Sequence, residues 1–448
     1  MRARWATVGA ALLLALSVVA GGMQLPSGAA AGKGRVLLVC KSGCPKLPSG
    51  QHYYTSIATA TTAAQNGDWV LVWPGTYKET VSVTSARGLT NGLHIRGMNR
   101  NKVILDGKGL SGSGLHVQGV NNTWVENMSG QNYSVNAFYW TGVDGYWGNY
   151  LTGYNNGDYG IYAYDSTCSG KLYCTLAHDY GSWNADSGIY IGGCRDCHAV
   201  IVDSKAEKNA IGYSGTNAGG ELYIIDSEWT HNATGLVPNT LHSEPDPPQS
   251  GVTIVDNYIH DNNDSDIPGS GITALAPVGY GVDLAGGSEN IVRGNLFVNE
   301  KHAGVTMHWL ITPPINNQIL YNRFVNTGYA KGGEDGDIVF GASGLQNCAD
   351  HNVRGKTGST PAVTNPPNVA NFQNCDDNNP GRQNGKGVYE PGNPLVDVMT
   401  VLNVAGITEP KNFKGPGPRP GALMNMPNVC AGVPDNAWCK GGKLVVKV

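Results

Sequence analysis

The sequence of 448 residues has few charged side chains, since Asp, Glu, Lys and Arg make up 14% of it against the usual quarter. Phenylalanine is scarce as well, with 6 residues against 21 tyrosines. Beyond the amino terminus no segment reaches the roughly 18 consecutive apolar residues that span a membrane. The formal net charge of −4 gives no electrostatic basis for binding nucleic acid, so no nucleic-acid partner is expected.

Glycine is abundant instead, at 63 residues, and it does not recur in the G-X-Y period of collagen. A hydrophobic content of 40% is enough to bury a core, which excludes a wholly disordered chain. Glycine and the similarly abundant asparagine tolerate positive φ angles. This composition therefore favours many short strands joined by tight turns.

The amino terminus has the pattern of an export signal. Arg2 and Arg4 precede an apolar run over residues 6–20, and Ala29-Ala30-Ala31 offers a small-residue cleavage site. We therefore predict a signal peptide over residues 1–31 and a secreted, extracellular protein, with a membrane anchor as the alternative. Removal of two arginines and no acid would change the net charge from −4 to −6.

The ten cysteines form five couples that are close in sequence, as expected for disulfides that staple the loops of a secreted chain. The predicted pairs are Cys40 with Cys44, Cys168 with Cys174, Cys194 with Cys197, Cys348 with Cys375, and Cys430 with Cys439. For Cys194-Arg-Asp-Cys197, a redox or zinc motif is the alternative.

A short apolar motif repeats along the chain with a period of about 23 residues. Its apolar anchors are Leu93, Leu115, Phe138, Ile161, Ile189, Ile211, Leu236, Val282 and Val305. They recur after 22, 23, 23, 28, 22, 25, 46 and 23 residues. A second motif between them consists of a short apolar strand, a polar turn and another short strand that ends in Asn, as in Ile225-Asp-Ser-Glu-Trp-Thr-His-Asn232.

Short strands at this period with no helical stretch between them predict an all-β fold, a single-stranded right-handed parallel β-helix of about ten coils. The abundant Asn is then explained by hydrogen-bonded ladders of turn residues. The step of 46 residues fits one coil that carries two inserted loops, near residues 238–250 and 263–279. We expect the β-helix with its amino-terminal cap over residues 32–340 and an irregular, disulfide-tied extension over 341–448.

The first coils carry a recognisable progression of residues. It comprises Gly67-Asp68-Trp-Val-Leu-Val-Trp-Pro-Gly-Thr-Tyr77-Lys78-Glu79, Leu93-His-Ile-Arg-Gly97 and Val103-Ile-Leu-Asp-Gly107. This progression resembles the start of the pectin-lyase-like superfamily of right-handed parallel β-helix proteins, over roughly residues 54–340. The resemblance implies the fold. It implies no single activity, because that fold hosts lyases, hydrolases, esterases, epimerases and non-catalytic surface proteins.

Side chains alternate along a strand, so the residues after the inward anchors point outward. One outward column is then expected to contain His94, His116, Tyr139, Tyr162, Tyr190 and Asp283, and the next one Tyr164 and His308. Aromatic rings with polar tips suit sugar rings, so we predict that Tyr139, Tyr162, Tyr164, Tyr190 and His308 bind substrate. Stacking that merely stabilises the sheet is the alternative.

The candidate acid and base groups are Asp283 and the residues His242, Glu244 and Asp246 of the first inserted loop, which we expect to wall the groove near Asp283 and His308. Solvated acidic turns are the alternative. Calcium held by these carboxylates is a further alternative, which no sequence motif supports; otherwise no cofactor is expected. We predict a monomeric, secreted carbohydrate-active protein that binds a polysaccharide or cell-wall glycan along the groove, as a polysaccharide lyase or glycoside hydrolase. The alternative is a non-catalytic adhesive β-helix protein of the cell surface or extracellular matrix.

Overall fold

Short parallel strands dominate the computed structural model, which describes residues 34–269, 273, 276–330, 335–340, 346–365, 375 and 413–448. The predicted signal peptide, residues 1–31, lies outside the described residues. Three long sheets run side by side along the molecule, and every neighbouring pair of strands within them is parallel except the last pair of the second sheet.

The first sheet consists of β1 (Val36–Val39), β2 (Trp69–Val72), β5 (His94–Gly97), β8 (Thr123–Glu126), β11 (Tyr146–Asn149), β14 (Cys174–Ala177), β17 (Ala199–Val202), β20 (Gly219–Ile225), β23 (Ser250–Val255), β26 (Ile291–Arg293), β29 (Gln318–Leu320) and β32 (Cys348–Asp350). The second consists of β3 (Gly75–Tyr77), β6 (Val103–Asp106), β9 (Ser129–Gln131), β12 (Thr152–Tyr154), β15 (Tyr180–Ser182), β18 (Lys205–Glu207), β21 (Glu228–Thr230), β24 (Tyr258–His260), β27 (Leu296–Val298), β30 (Arg323–Val325), β33 (Val353–Arg354) and β34 (Thr360–Pro361). The third consists of β4 (Val81–Thr84), β7 (Leu115–Gln118), β10 (Phe138–Thr141), β13 (Ile161–Tyr164), β16 (Ser187–Gly192), β19 (Ile211–Thr216), β22 (Thr234–Asn239), β25 (Tyr280–Ala285), β28 (Ala303–His308), β31 (Gly336–Phe340) and β35 (Thr364–Asn365).

Each coil uses one strand from each sheet in turn, so β2 to β31 form ten complete coils of a parallel β-helix. This confirms the all-β solenoid and the coil number predicted from the repeats. A short helix, α1 (Ile57–Ala63), packs on the first coil through its buried Ile57 and Ala60. The sheets also continue past residue 340, the predicted end of the β-helix, because β32, β33 and β35 pair with β29, β30 and β31.

The core is a single apolar column inside the coils, built from the alternate residues of each strand. In the third sheet the inward residues are Leu115, Phe138, Ile161, Ile189, Tyr213, Leu236, Val282 and Val305, all fully buried. Each of them pairs, through its strand, with the strands of the neighbouring coils. The array is therefore one continuous body rather than several domains.

Three ladders of asparagine side chains run along the turns and stabilise the stack, as the sequence predicted. One contains Asn156, Asn184, Asn209, Asn232 and Asn262, the second Asn257, Asn295, Asn322 and Asn352, and the third Asn290, Asn317 and Asn347. Within a ladder each Nδ2 donates to the Oδ1 of the next coil at 2.8–3.1 Å. Backbone donors and acceptors that a turn would leave buried and unpaired are satisfied in this way.

The first ladder ends on a carboxyl group rather than an amide. Asn262 donates from Nδ2 to Glu300 Oε1 at 2.8 Å and from its backbone N–H to Glu300 Oε2 at 3.1 Å. Glu300 is fully buried, and this burial raises its pKa to about 8, although the two hydrogen bonds from Asn262 oppose the shift. Its carboxyl is therefore predominantly protonated at neutral pH.

We expect Asn232→Ala to lower the free energy of unfolding by about 3 kcal/mol, because it removes both bonds that Asn232 accepts from Asn209 and leaves a buried Asn209 N–H unpaired. The control is Asn66→Ala, at an exposed asparagine that accepts two backbone N–H groups and should cost about 1 kcal/mol or less. Urea unfolding measures both. Equal losses for the two variants would contradict a special contribution from the ladder.

All five predicted cysteine pairs are disulfide-bonded. Cys194 and Cys197 thus form a disulfide rather than a metal site or a free dithiol. Four of the pairs close loops of three to nine residues, and the fifth joins Cys348 to Cys375.

Residues 413–448 form a strap that lies on the outside of the first five coils and includes the small hairpin β36 (Cys439–Lys440) and β37 (Lys443–Leu444). Its contacts are Phe413 with Trp183, Gly417 with Tyr154, Leu423 with Asn101, Met426 with Asn127, Ala431 with Arg96, and Trp438 with Tyr53. The strap covers outward apolar side chains of the first sheet, among them Trp69 and Leu71.

Candidate functional site

Aromatic side chains form a column on the outer face of the third sheet. The register of β7, β10, β13 and β16 places His116, Tyr139, Tyr162 and Tyr190 side by side in successive coils. The ring centroids of consecutive members are 4.2, 4.6 and 4.6 Å apart. Tyr164 lies beside the column, with its ring 5.9 Å from that of Tyr162.

One member of the predicted outward column and one predicted anchor lie elsewhere. His94 belongs to the first sheet, where it is stacked between Trp69 and Trp124 at 3.9 and 4.2 Å. The anchor in β19 is Tyr213 rather than Ile211, because Tyr213 pairs with Ile189 and faces the core. The outward residue of β19 in the aromatic column is therefore Ser214.

Tyr190 is not exposed, contrary to the predicted ladder. Its hydroxyl donates a short hydrogen bond to Glu244 Oε2, and its side chain is fully buried. Tyr159, which the sequence reasoning did not single out, lies against Tyr190 and stacks on Tyr162 with a centroid distance of 4.2 Å. The solvent-accessible part of the column consequently runs from His116 to Tyr162, and Tyr190 closes its end.

Glu244 reaches this position because the first inserted loop, residues 240–249, folds back along the solenoid. Thr240 N–H donates to Ala285 O at the base of the loop. Farther along, Asn217 Nδ2 donates to Leu241 O at 2.7 Å and to Glu244 O at 3.0 Å. The loop thus extends from β22 toward β16, so that its Glu244 lies over the aromatic column.

The other two candidates from this loop do not meet the column. His242 is exposed, and Asp246 faces Arg195, whose guanidinium nitrogen is 3.9 Å from Asp246 Oδ1 and whose backbone N–H donates to Oδ2 at 3.3 Å.

Asp283 and His308 are brought together, but at a different place from Glu244. His308 Nε2 lies 2.8 Å from Asp283 Oδ1, and both side chains are buried. Asp283 is on β25, three strands from Tyr190 on β16, which corresponds to about 14 Å. The first inserted loop therefore does not join Glu244 to the Asp283–His308 pair, although its base lies next to Ala285.

Two carboxyl groups missed by the sequence reasoning lie close enough to Glu244 for their charges to interact with it. Asp158 and Asp186 occupy equivalent turn positions just before β13 and β16, and the Asp186 N–H donates to Asp158 O at 3.0 Å. The sequence contained a signal, because Asp follows Asn after one residue in both Asn156-Gly-Asp158-Tyr-Gly160 and Asn184-Ala-Asp186-Ser-Gly188. We call Asp158, Asp186 and Glu244 the carboxyl cluster.

The three carboxyl groups of the cluster have raised pKa values. Burial raises the pKa of Glu244 to about 7, the charge of Asp158 adds to the shift, and the hydrogen bond from Tyr190 opposes it. Burial also raises the pKa of Asp158 to about 6. The pKa of Asp186 is raised well above its ordinary value, by burial first and then by the charges of Asp158 and Glu244. Strongly shifted carboxyls beside an accessible aromatic face are typical of acid–base sites.

Lys205, on β18 of the second sheet, is paired with two carboxylates. Its Nζ is 2.9 Å from Glu207 and 2.8 Å from Glu228. Burial would lower its pKa, but the bonds to the two carboxylates outweigh burial and raise the pKa. Such a lysine stays protonated and does not act as a base. In the described part of the chain no cluster of three or more His, Cys, Asp or Glu side chains is arranged to hold a metal ion.

Comparison with known proteins agrees with this architecture. Residues 136–324 match a family model described as right handed beta helix region. A search of curated proteins finds no significant match.

Several solved structures are similar to this chain at low sequence identity. The A-module of a mannuronan C-5 epimerase from Azotobacter vinelandii is 12% identical over 67% of this chain and 96% of that chain, with a TM-score of 0.40. A pectate lyase is 15% identical over 73% of this chain and 81% of that chain, with a TM-score of 0.40. The tailspike protein of E. coli bacteriophage HK620 in complex with pentasaccharide is 13% identical over 78% of this chain and 63% of that chain, with a TM-score of 0.47.

Proposed function

We propose that this right-handed parallel β-helix protein of the pectin-lyase-like type binds an extended glycan along the outer face of its third sheet and hydrolyses it at the carboxyl cluster. The observation that carries the proposal is the contact of Glu244, on a loop from a distant coil, with the end of the aromatic column. The faces of the Tyr139 and Tyr162 rings are stacked on neighbouring rings, so these residues offer ring edges and hydroxyl groups to a glycan, and Tyr164 lies beside them.

The pKa values divide the roles within the carboxyl cluster. Glu244, with a pKa of about 7, keeps a proton that it donates to the leaving oxygen as the glycosidic C–O bond breaks. Asp158, with a pKa of about 6, is largely ionised at neutral pH and accepts a proton from the water whose oxygen forms the new C–O bond. The reaction consumes one water, and both carboxyls recover their starting states by proton exchange with solvent.

The charge of the cluster favours a neutral glycan over a polyuronate. The charges that shift the pKa values of Glu244 and Asp186 are those of other carboxyls, and no described cation contributes to the shifts of the three groups. A uronate placed here would be repelled. Elimination from a uronic acid also needs a base of sufficient strength, and Lys205 is paired on another face.

We also propose that the protein is exported and acts outside the cell. The proposal rests on the predicted signal peptide and on five disulfides, which persist in oxidising compartments. Within the described residues, the structure contains no helix with the length and apolar character needed to cross a membrane.

The proposal is tested with the wild-type protein on a glycan panel. The neutral members are mixed-linkage glucan, mannan, xylan and galactan, and the acidic members are polygalacturonate and alginate. We expect new reducing ends from a neutral member without the ultraviolet absorbance of unsaturated products. If an acidic member instead gave products with that absorbance, the reaction would be elimination and the proposal of hydrolysis would be wrong. Binding without turnover of any member would favour the adhesive β-helix protein.

The binding face is tested by Tyr162→Ala, which should weaken binding of the recognised glycan about tenfold, because the outward ring edge and hydroxyl group of Tyr162 are lost. Tyr258→Ala is the matched control, since Tyr258 is an exposed tyrosine on the second sheet that stacks on His260 as Tyr162 stacks on Tyr139. Calorimetric titration measures both affinities. An equal loss in the two variants would argue against the third sheet as the binding face.

A further inference from the structure

The outer face of the third sheet is accessible in one half of the solenoid and covered in the other. On β4, β7, β10 and β13 the outward residues are half-buried or exposed: Ser82, Thr84, His116, Gln118, Tyr139, Thr141, Tyr162 and Tyr164. From β16 onward the corresponding residues are buried: Tyr190, Ser214, Thr216, Val237, Asn239, Asp283, Ala285, Thr306 and His308. The change takes place within one coil, between Tyr162 and Tyr190.

Both inserted loops of the long coil produce this covering. The first places Glu244 on Tyr190 and is held by Asn217, as described above. The second contributes Ile267, Ala276 and Val278, which pack with the outward side chains Ile211, Val237 and Ala285 as a separate apolar cluster. Thr273 of this second loop donates its hydroxyl to Ala185 O at 3.0 Å, next to Asp186. The two loops thus close the face from both sides at the same coil.

The cleft beside the third sheet ends at the same place. It has a volume of about 760 Å³ and runs past Leu110, Tyr133 and Gly157, on the turns that lead into β7, β10 and β13. Its far wall includes Pro268 and Gly269 of the second inserted loop. A glycan that follows either the sheet or the cleft toward the later coils therefore meets a closed end.

From this geometry we infer that the groove is a dead end and that the protein acts on the terminus of a glycan chain rather than within it. The inference rests on the proposed function and specifies its mode of attack. The carboxyl cluster lies at the closed end, since Asp158 precedes the last accessible strand and Asp186 precedes the first covered one. The terminal sugar binds there, and the rest of the chain extends over β13, β10, β7 and β4.

The accessible face also limits how many sugars contribute to binding. Its four strands extend over about 15–20 Å. With one aromatic or polar outward side chain per coil, on the order of four sugar rings are contacted. Affinity is therefore expected to rise with oligosaccharide length up to about four sugars and then to stay level.

The experiment uses the wild-type protein and linear oligosaccharides of two to ten sugars, prepared from each neutral member of the panel. Each is supplied in three forms: uncapped, capped by a methyl group at the non-reducing end, and capped by a methyl glycoside at the reducing end. Products are separated by size with time. We expect one small product to be released from the first time point and one of the two caps to lower the rate at least tenfold.

The outcomes separate the two proposals. Attack at the terminus would be overturned if both capped forms were cleaved as fast as the uncapped form. It would also be overturned if products of intermediate length appeared early. Either result would leave the proposed hydrolysis in place. Attack at the terminus would be supported if reducing ends were released from the polymer while its viscosity fell only slowly. If no uncapped oligosaccharide is cleaved, the proposed hydrolysis itself fails.

Discussion

Glu244→Gln is expected to lower kcat on the cleaved glycan about a thousandfold while leaving the affinity for that glycan within a factor of about three. Glutamine has nearly the shape of glutamic acid and still accepts the hydrogen bond from Tyr190. The loop, held by Asn217, should keep its position. What the variant lacks is the proton that Glu244 donates to the leaving oxygen.

The pH profile gives a second readout of the same carboxyl cluster. Activity requires Asp158 ionised and Glu244 protonated. With pKa values of about 6 and about 7, respectively, kcat/KM should form a narrow bell with its maximum between pH 6 and 7. Asp158→Asn should lower activity throughout, and in Glu244→Gln the residual activity should lose its fall above pH 7.

Glu289→Gln is the control, because Glu289 is an exposed carboxylate at a turn before β26, and it should keep kcat within a factor of about two. A Glu244→Gln protein with full kcat, correct folding and an unchanged bell would remove Glu244 from the reaction. In that case the buried Asp283–His308 pair would be the next place to look for acid–base chemistry.

Glu300→Gln is expected to stabilise the protein at alkaline pH. The buried carboxyl has a pKa of about 8 in the folded chain against 4.5 as its ordinary value, so the folded state retains a proton that the unfolded state loses. The wild-type protein therefore loses stability as pH rises from about 4.5 to about 8. At ~1.4 kcal/mol per pH unit, this loss amounts to about 5 kcal/mol relative to the uncharged variant.

The sign of this effect distinguishes it from a simple packing change. Below about pH 4.5 the carboxyl is protonated in both states, so the difference between variant and wild type should be small and independent of pH. Thermal unfolding at pH 4, 6 and 9 measures the divergence. Glu289→Gln should run parallel to the wild type. If the stability of Glu300→Gln also changed with pH as that of the wild type does, the carboxyl at the end of the ladder would not be neutral.

The solenoid was predictable because its periodicity is local. Each coil repeats an inward residue, an outward residue and a turn, so the register of Tyr139, Tyr162 and Tyr190 follows from spacing alone. The same simplicity caused the two errors of register. Leu93-His-Ile95 of the first sheet has the same alternation as the third-sheet strands and stands 22 residues before Leu115. In β19, a strand of six residues, a shift of two positions placed Ile211 where Tyr213 lies.

The carboxyl cluster was only half predictable. Glu244 drew attention because it lies in a long insertion, but no local pattern shows in which direction such a loop folds. The hydrogen bonds of Asn217 to the loop determine that direction, and they join segments that no spacing rule connects. Asp158 and Asp186 resemble ordinary turn residues in sequence. Only their burial beside Glu244 distinguishes them from the exposed aspartates of other turns.

The strap formed by residues 413–448 has a consequence for the order in which the molecule is completed. In a simple solenoid each coil depends on its neighbours, so the first coils could acquire full stability while later ones are still being synthesised. Here Arg96, Asn127 and Tyr154 of the early coils bind backbone groups of a segment that is translated after all ten coils. The earliest coils thus stay incomplete until the strap has been synthesised, and their outward tryptophans need protection from aggregation throughout that interval.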